Sequence, residues 1–245
     1  MAIIGALFFI FGFITWLNGT LIPFLKIACE LTYSQALLVT FAFYIAYVFL
    51  AIPSSLILQK TGFKNGMALG LVVMAGGALV FVPAAQIRSF PLFLSGLFVQ
   101  GAGLALLQTA SNPYASILGP IESAAQRISI LGICNKVAGA LSPVLIGAVV
   151  LKGATELEGQ LAKAISPAAK AELLQELADR VVFPYVVMAG ALLVLALLIR
   201  LSGLPEIATQ PDAAEVSALE PAGSIWHFPH LLLGWALFFA VLVSR

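Results

Sequence analysis

Charge is what this sequence has least of. Asp, Glu, Lys and Arg make up 9% of its 245 residues, while 61% are hydrophobic. A soluble domain carries about 25% charged and about 45–50% apolar residues. A water-facing shell over a core of this size needs that charge, so a soluble globular fold is excluded. The 11 acidic and 12 basic residues nearly cancel, and no basic excess points to nucleic acid as a partner. The two cysteines, Cys29 and Cys134, stand far apart in or near apolar stretches. With no companions and no metal-ligand spacing they read as free thiols in packing positions; neither a metal nor a cofactor is expected. The first apolar stretch lacks a basic lead-in and a small-residue cleavage site. It is also longer than the usual signal-peptide core of about 7–15 residues, so it reads as a spanning helix.

What the chain does have is long apolar runs. A helix needs about 20 mostly apolar residues to cross a hydrocarbon core about 30 Å thick. Seven runs qualify: Ala2–Leu25, Gln35–Leu58, Gly66–Ala85, Phe90–Leu118, Ser129–Leu151, Val181–Leu201 and Ile225–Val243. Backbone groups in lipid must bond within their own segment, so each run is predicted to be a helix. Within residues 152–180, Ser166 followed by Pro167 is a helix-start signal and predicts a short surface helix. Residues 202–224 are rich in Pro, Ala and Glu without apolar periodicity and read as a cytoplasmic linker. The expected architecture is all-α: a six-helix unit over 1–201, the linker, and one further spanning helix over 225–245. With the N-terminus inside, Lys60, Lys64, Arg127 and Arg200 lie inside, and Lys26, Arg88, Lys152, Lys163, Lys170 and Arg180 outside. That near-balance leaves the positive-inside bias undecided.

No Asp or Glu falls within any of the seven runs, which removes the intramembrane carboxylate that marks proton relays. The remaining polarity gathers in three helices. Thr15 and Asn18 share a face of the first, ahead of Gly19 and Pro23. Gln108 and Asn112 share a face of the fourth, with Ser111 and Pro113 alongside. Ser129, Gly132, Lys136, Gly139 and Pro143 make a stripe along the fifth, next to Asn135. Amides and hydroxyls near mid-membrane suit a polyhydroxylated neutral ligand, because each donates to or accepts from a sugar hydroxyl. Isolated amides serve equally as hydrogen bonds between helices, so both readings stay open for Asn18, Gln108, Asn112 and Asn135. Lys136 favours a functional reading, since a mid-span ammonium is costly and normally faces a cavity or a partner. Phe43, Tyr44 and Tyr47 have the flat rings that stack on sugar C–H faces, although aromatics at helical spacing are more often packing. The polar clusters of helices one and four occupy matching places if the six helices are two repeats of three. That is the inverted-repeat plan with a ligand site near the midplane, and Asn18-Gly19 with Pro23 and Asn112-Pro113 are its interrupted segments.

Specific motifs carry a family resemblance over essentially residues 3–240. Gly12-Phe-Ile-Thr-Trp-Leu-Asn-Gly-Thr-Leu-Ile-Pro23, Ala42-Phe-Tyr-Ile-Ala-Tyr47 with Pro53, Gly103-Leu-Ala-Leu-Leu-Gln-Thr-Ala-Ser-Asn-Pro-Tyr114 with Gly119-Pro120, and Ile133-Cys-Asn-Lys-Val-Ala-Gly139 are the four. Together they resemble bacterial glucose/galactose transporters in the fucose–proton symporter branch of the major facilitator superfamily. The loop Gln59-Lys-Thr-Gly-Phe-Lys-Asn-Gly66 is a degenerate form of the general facilitator loop. The resemblance implies a twelve-helix carrier of the cytoplasmic (inner) membrane, working by alternating access with a cytoplasmic N-terminus. It implies a hexose-type substrate, an ion-coupled symport, and a sugar path lined by the amides of helices one, four and five. Two positions depart from the fucose branch: Gly19 and Gln108 stand where it carries acidic residues. Lys136 also replaces a neutral residue. The coupling ion is therefore open between sodium and a proton bound elsewhere, and the pattern fits the glucose/galactose or amino-sugar subgroup.

The chain stops one helix into the expected second half, so the expectation is of truncation, with a missing C-terminal half as a partner. Two other classes remain. One is a non-transporting membrane subunit or remnant. The other is an intramembrane enzyme, which lacks support: His227 and His230 are the only histidines, no membrane carboxylate complements them, and beside Trp226 they read as interfacial anchors.

Overall fold

The computed structural model describes residues 1–150 and 167–204. The described part is helical apart from short turns: α1 (Ala2–Ala28), α2 (Tyr33–Gln86), α3 (Phe90–Ile117), a 3-10 turn (Ile121–Ser123), α4 (Ala124–Val150), α5 (Pro167–Asp179) and α6 (Val182–Leu201). Five of these stretches are long and apolar enough to cross a membrane. The expected seventh helix, the linker beyond residue 204, and the residues Lys152, Lys163, His227 and His230 lie outside the described residues.

Helix α2 has 54 residues. Straight, it would run about 80 Å at 1.5 Å per residue, against about 30 Å of hydrocarbon. It breaks at Gly62, whose φ of 75° and ψ of 171° suit a residue without a Cβ. Its two ends return to one side of the molecule. Tyr33 follows closely on the end of α1, and beyond Gln86 the Arg88 Nε donates to the Ala28 carbonyl at 3.0 Å. The arms 33–61 and 63–86 therefore form an antiparallel hairpin and supply the second and third predicted spans. The predicted connection over residues 59–65 contracts to a single hinge residue. Helix α4 also starts earlier than predicted, at Ala124 rather than Ser129. Arg127 explains this: its buried guanidinium donates to the carbonyls of Ala115, Ser116 and Pro120 at 2.7–3.1 Å. It caps the C-terminal end of α3, where orphan carbonyls and the helix dipole favour a cation.

Packing between spans rests on small residues, because lipid tails are as apolar as leucine and give helices no hydrophobic reason to associate. The second arm of α2 and α3 approach backbone to backbone. A Cβ on Gly77 would stand 2.7 Å from the Gln100 nitrogen, and one on Gly103 would stand 2.7 Å from the Met74 nitrogen. Helix α6 closes on the same arm through Phe81 and Tyr185, whose rings stack at 4.0 Å. At the opposite end from Arg88, the Lys64 Nζ donates to the Ser202 carbonyl, so Lys64 and Arg200 share one membrane side, as predicted.

Helix α5 begins at Pro167, as the Ser-Pro signal predicts, and lies over the ends of α1 and α2. Gln175 Nε2 donates to the Ala85 carbonyl at 3.1 Å, Leu174 and Leu177 are buried, and Lys170 pairs with Glu30. Arg88 lies 3.8 Å from the same carboxylate. The Lys170 hydrogen bond, chiefly, with the charges of Lys170 and Arg88, holds the Glu30 carboxyl below its ordinary range.

Two outcomes are expected. Gly77→Ala forces α2 and α3 apart and costs about 1–3 kcal/mol, whereas Gly76→Ala, with nothing within 4 Å of its Cβ, is silent. Thermal unfolding in detergent checks the pair, and equal melting temperatures would refute the close-approach account. Because the Glu30 carboxyl is lowered, its contribution is complete above the ordinary carboxylate pKa and is lost as pH falls through the lowered one. Amide protection over residues 167–179, taken relative to the intrinsic exchange rate at each pH, should fall on that acidification. Glu30→Gln should give the lower protection already at neutral pH and remove that part of the pH dependence.

Candidate functional site

The seven residues singled out from the sequence divide into three groups. Tyr47 and Gln108 come together: the Tyr47 hydroxyl, on the first arm of α2, donates to Gln108 Oε1 on α3 at 2.8 Å. Both are half-buried. Gln108 thus keeps its amide NH₂ donors uncommitted among the described residues, and the Tyr47 oxygen keeps a lone pair. Asn112, one turn further along α3, and Lys136 on α4 are exposed. Neither side chain makes a hydrogen bond or ion pair among the described residues. Tyr44 is 52% exposed and its ring meets Phe43 edge-on at 5.4 Å. It borders a cleft of about 100 Å³ between α1 and α2, walled by Thr15, Asn18, Gly19, Ile22, Val39, Thr40 and Phe43.

Asn18 and Asn135 are engaged between helices. The Asn18 side chain is buried; it accepts from the Tyr185 hydroxyl at 3.2 Å and donates to Gln100 Oε1 at 3.3 Å. One amide thereby joins α1, α3 and α6. Asn135 Nδ2 donates to the Phe8 carbonyl at 3.2 Å, and a Cβ on Gly12 would overlap the Asn135 carbonyl, so Asn135 marks the tightest approach of α4 to α1. Two members of this network, Gln100 and Tyr185, were missed by sequence reasoning. Gln100 was legible as a lone amide within the fourth apolar run. Tyr185 carried no signal, since a tyrosine near a helix start reads as an interfacial anchor. Among the described residues Gln100 Nε2 is buried without a partner, a cost carried within the bundle.

The stripe predicted on α4 is open at Ser129, Lys136 and Pro143 but covered at Gly139, where the Trp16 ring lies against it. Exposed polar groups on spanning helices, a bare ammonium above all, are costly against lipid and normally turn to a cavity or a partner. Larger hollows of about 740 and 330 Å³ lie between α1 and α6 and reach α4. Phe9, Ile10, Leu131 and Leu195 are typical of their walls. They contain none of the seven residues, and they suit lipid chains rather than a polar ligand. No cluster of metal-ligating side chains occurs among the described residues.

Residues 4–244 match the Major Facilitator Superfamily. Over 228 residues the chain is 37% identical to the glucose/galactose transporter of Brucella abortus biovar 1 (strain 9-941), covering 93% of this chain and 51% of that protein. Over 206 residues it is 33% identical to the L-fucose-proton symporter of Escherichia coli (strain K12), covering 84% and 47%. The crystal structure of the transporter FucP in the outward conformation superimposes with a TM-score of 0.75 at 32% identity, covering 87% of this chain and 52% of that one. The chain spans about half the length of the curated relatives it matches.

The two groups of amides should separate on substitution. Asn18→Leu strands the Tyr185 hydroxyl and the Gln100 amide oxygen, and should destabilise the bundle by about 1–3 kcal/mol. Asn112→Ala should leave stability unchanged. Thermal unfolding of the two variants in the same detergent measures this, and a reversed order would contradict the division.

Proposed function

This chain belongs to the major facilitator superfamily, and on that premise we propose that it supplies the amide-lined wall of a hexose carrier working by alternating access. The family is one of transporters, and the chain is a multi-pass membrane protein. In this reading residues 1–201 form the six-helix half, 202–224 a cytoplasmic linker and 225–245 a seventh spanning helix. The observation that carries it is the Tyr47–Gln108 pair at 2.8 Å, with Asn112 exposed one turn along α3 and Lys136 exposed on α4. These groups offer amide N–H, ammonium and phenolic oxygen to ligand hydroxyls and present no charge that would demand an ionic ligand of the opposite sign beyond one lysine. The names of the relatives, glucose/galactose transporter and L-fucose-proton symporter, support a sugar of that class. Asn18 and Asn135 act in this reading as positioning residues that hold α1 against α3, α4 and α6 around the sugar path; Tyr44 closes its α2 edge.

Transport is coupled to an ion in this reading. No carboxylate occupies α1–α4 or α6, so a proton would need another carrier group and sodium is the competing ion. A second reading, in which the chain binds sugar but accumulates it only with a second six-helix half, is supported by the half-length coverage of its relatives.

Proteoliposomes containing the chain, given labelled D-glucose or D-galactose under an imposed sodium or proton gradient, test both readings. Accumulation driven by one gradient supports the first. Saturable binding without accumulation, rescued by a co-reconstituted second half, supports the other. Gln108→Ala should weaken binding by roughly tenfold, about 1.4 kcal/mol, and Tyr47→Phe by roughly two- to tenfold. Absence of saturable binding by the parent chain to any hexose would refute the assignment.

A further inference from the structure

Trp16, exposed on α1 and resting against Gly139 of α4, has no part in the site described so far. At 1.5 Å per residue it lies about 20 Å from either end of α1, far from the interfacial belts where tryptophans of membrane proteins collect. It is 51% exposed yet held in place. A Cβ on Gly139 of α4 would stand 2.5 Å from its Cδ1 and 2.6 Å from its Nε1, so one edge of the indole rests on bare backbone. Among the described residues the ring stacks on no other ring and its N–H donates to no acceptor. One turn along α1, a Cβ on Gly19 would meet nothing within 4 Å, so space opens beside the ring. One turn along α4 from Gly139, Lys136 is exposed. A lipid chain here would leave both the indole N–H and the ammonium unsatisfied.

A partner that fits must have an apolar face for the ring, acceptors for the indole N–H and the ammonium, and no charge of its own to desolvate. A pyranose has these: axial C–H groups on one face and hydroxyl oxygens around its rim. We propose that Trp16 is the aromatic platform on which the hexose stacks, and so a specificity-determining residue of the carrier. The proposal rests on the hexose reading above. Gly139 is its positioning partner, because only a residue without a side chain lets the indole lie against α4. Tyr44, in contrast, is already engaged edge-on by Phe43.

The chain has three tryptophans, so replacing Trp226 and Trp235 by Phe leaves Trp16 as the sole emitter. Adding D-glucose or D-galactose to this variant in detergent should shift its emission saturably and shield it from acrylamide. In equilibrium dialysis with labelled sugar, Trp16→Leu should weaken binding roughly tenfold, and Trp16→Phe should recover most of that loss. Gly139→Ala should weaken binding and alter the emission of Trp16. If the parent binds hexose while Trp16→Leu binds equally well, the platform is wrong and the carrier reading stands. If the parent binds no hexose, both fall. Should Trp16→Leu fail to fold, the emission and shielding of the variant with Trp16 as sole emitter decide: sugar binding that leaves both unchanged overturns the platform.

Discussion

Hydrocarbon offers no hydrogen-bond partners, and that constraint governs this molecule at every level. Backbone groups close on themselves, so the described spans are helices. Where a helix must end, its last carbonyls need donors, and side chains provide them: Arg127 at the end of α3, Gln175 at the second arm of α2, Lys64 at the end of α6. These contacts lie at the membrane edges and hold turns shut. Their common logic explains why so short a list of charged residues is placed so consistently at helix termini.

The same constraint sorts the polar side chains within the spans. A buried amide in a bundle is tolerated when its partners are protein groups, as Asn18 is with Gln100 and Tyr185. Such a group fixes helix rotation and register. An amide or ammonium left without a protein partner faces something other than lipid. Among the described residues Asn112, Lys136 and the indole of Trp16 belong to this second kind, and Gln108 does through its amide NH₂ alone, its oxygen being held by Tyr47. The candidate site is read from what the fold leaves unsatisfied among the described residues, and the glycine contacts at Gly12, Gly77 and Gly139 bear on which side chains those are. Backbone approach at these points sets how the helices rotate, and rotation determines which side of each helix is open.

Much of this was legible in the residues. Span length, the surface helix after Pro167 and the grouping of basic residues by membrane side follow from hydropathy and helix-start chemistry, and the structure has them. The paired motif around Gln108 and Asn112 falls on α3, where the structure leaves Asn112 exposed and bonds Gln108 to Tyr47. Other features were not legible, for a physical reason. Periodicity places a residue on a helix face but does not say what the face meets. Asn18 and Asn135 looked equivalent to Gln108 by type and depth, yet their amide nitrogens donate to other helices, while Gln108 bonds α2 only through its oxygen and keeps its donors free among the described residues. Gln100 and Tyr185 complete the Asn18 network from helices remote in sequence, which no local pattern encodes. The hinge at Gly62 was hidden because a polar stretch reads as a loop whether the chain turns on one residue or seven.

The sequence alone determined the solvent. Its scarcity of charge and its apolar runs leave no alternative to a bilayer, and the absence of carboxylates from those runs restricts the chemistry available within it. Tertiary structure alone decided which of the few intramembrane polar groups are packing and which are open. That choice depends on helix rotation and close approach at glycines, set by contacts between residues far apart along the chain.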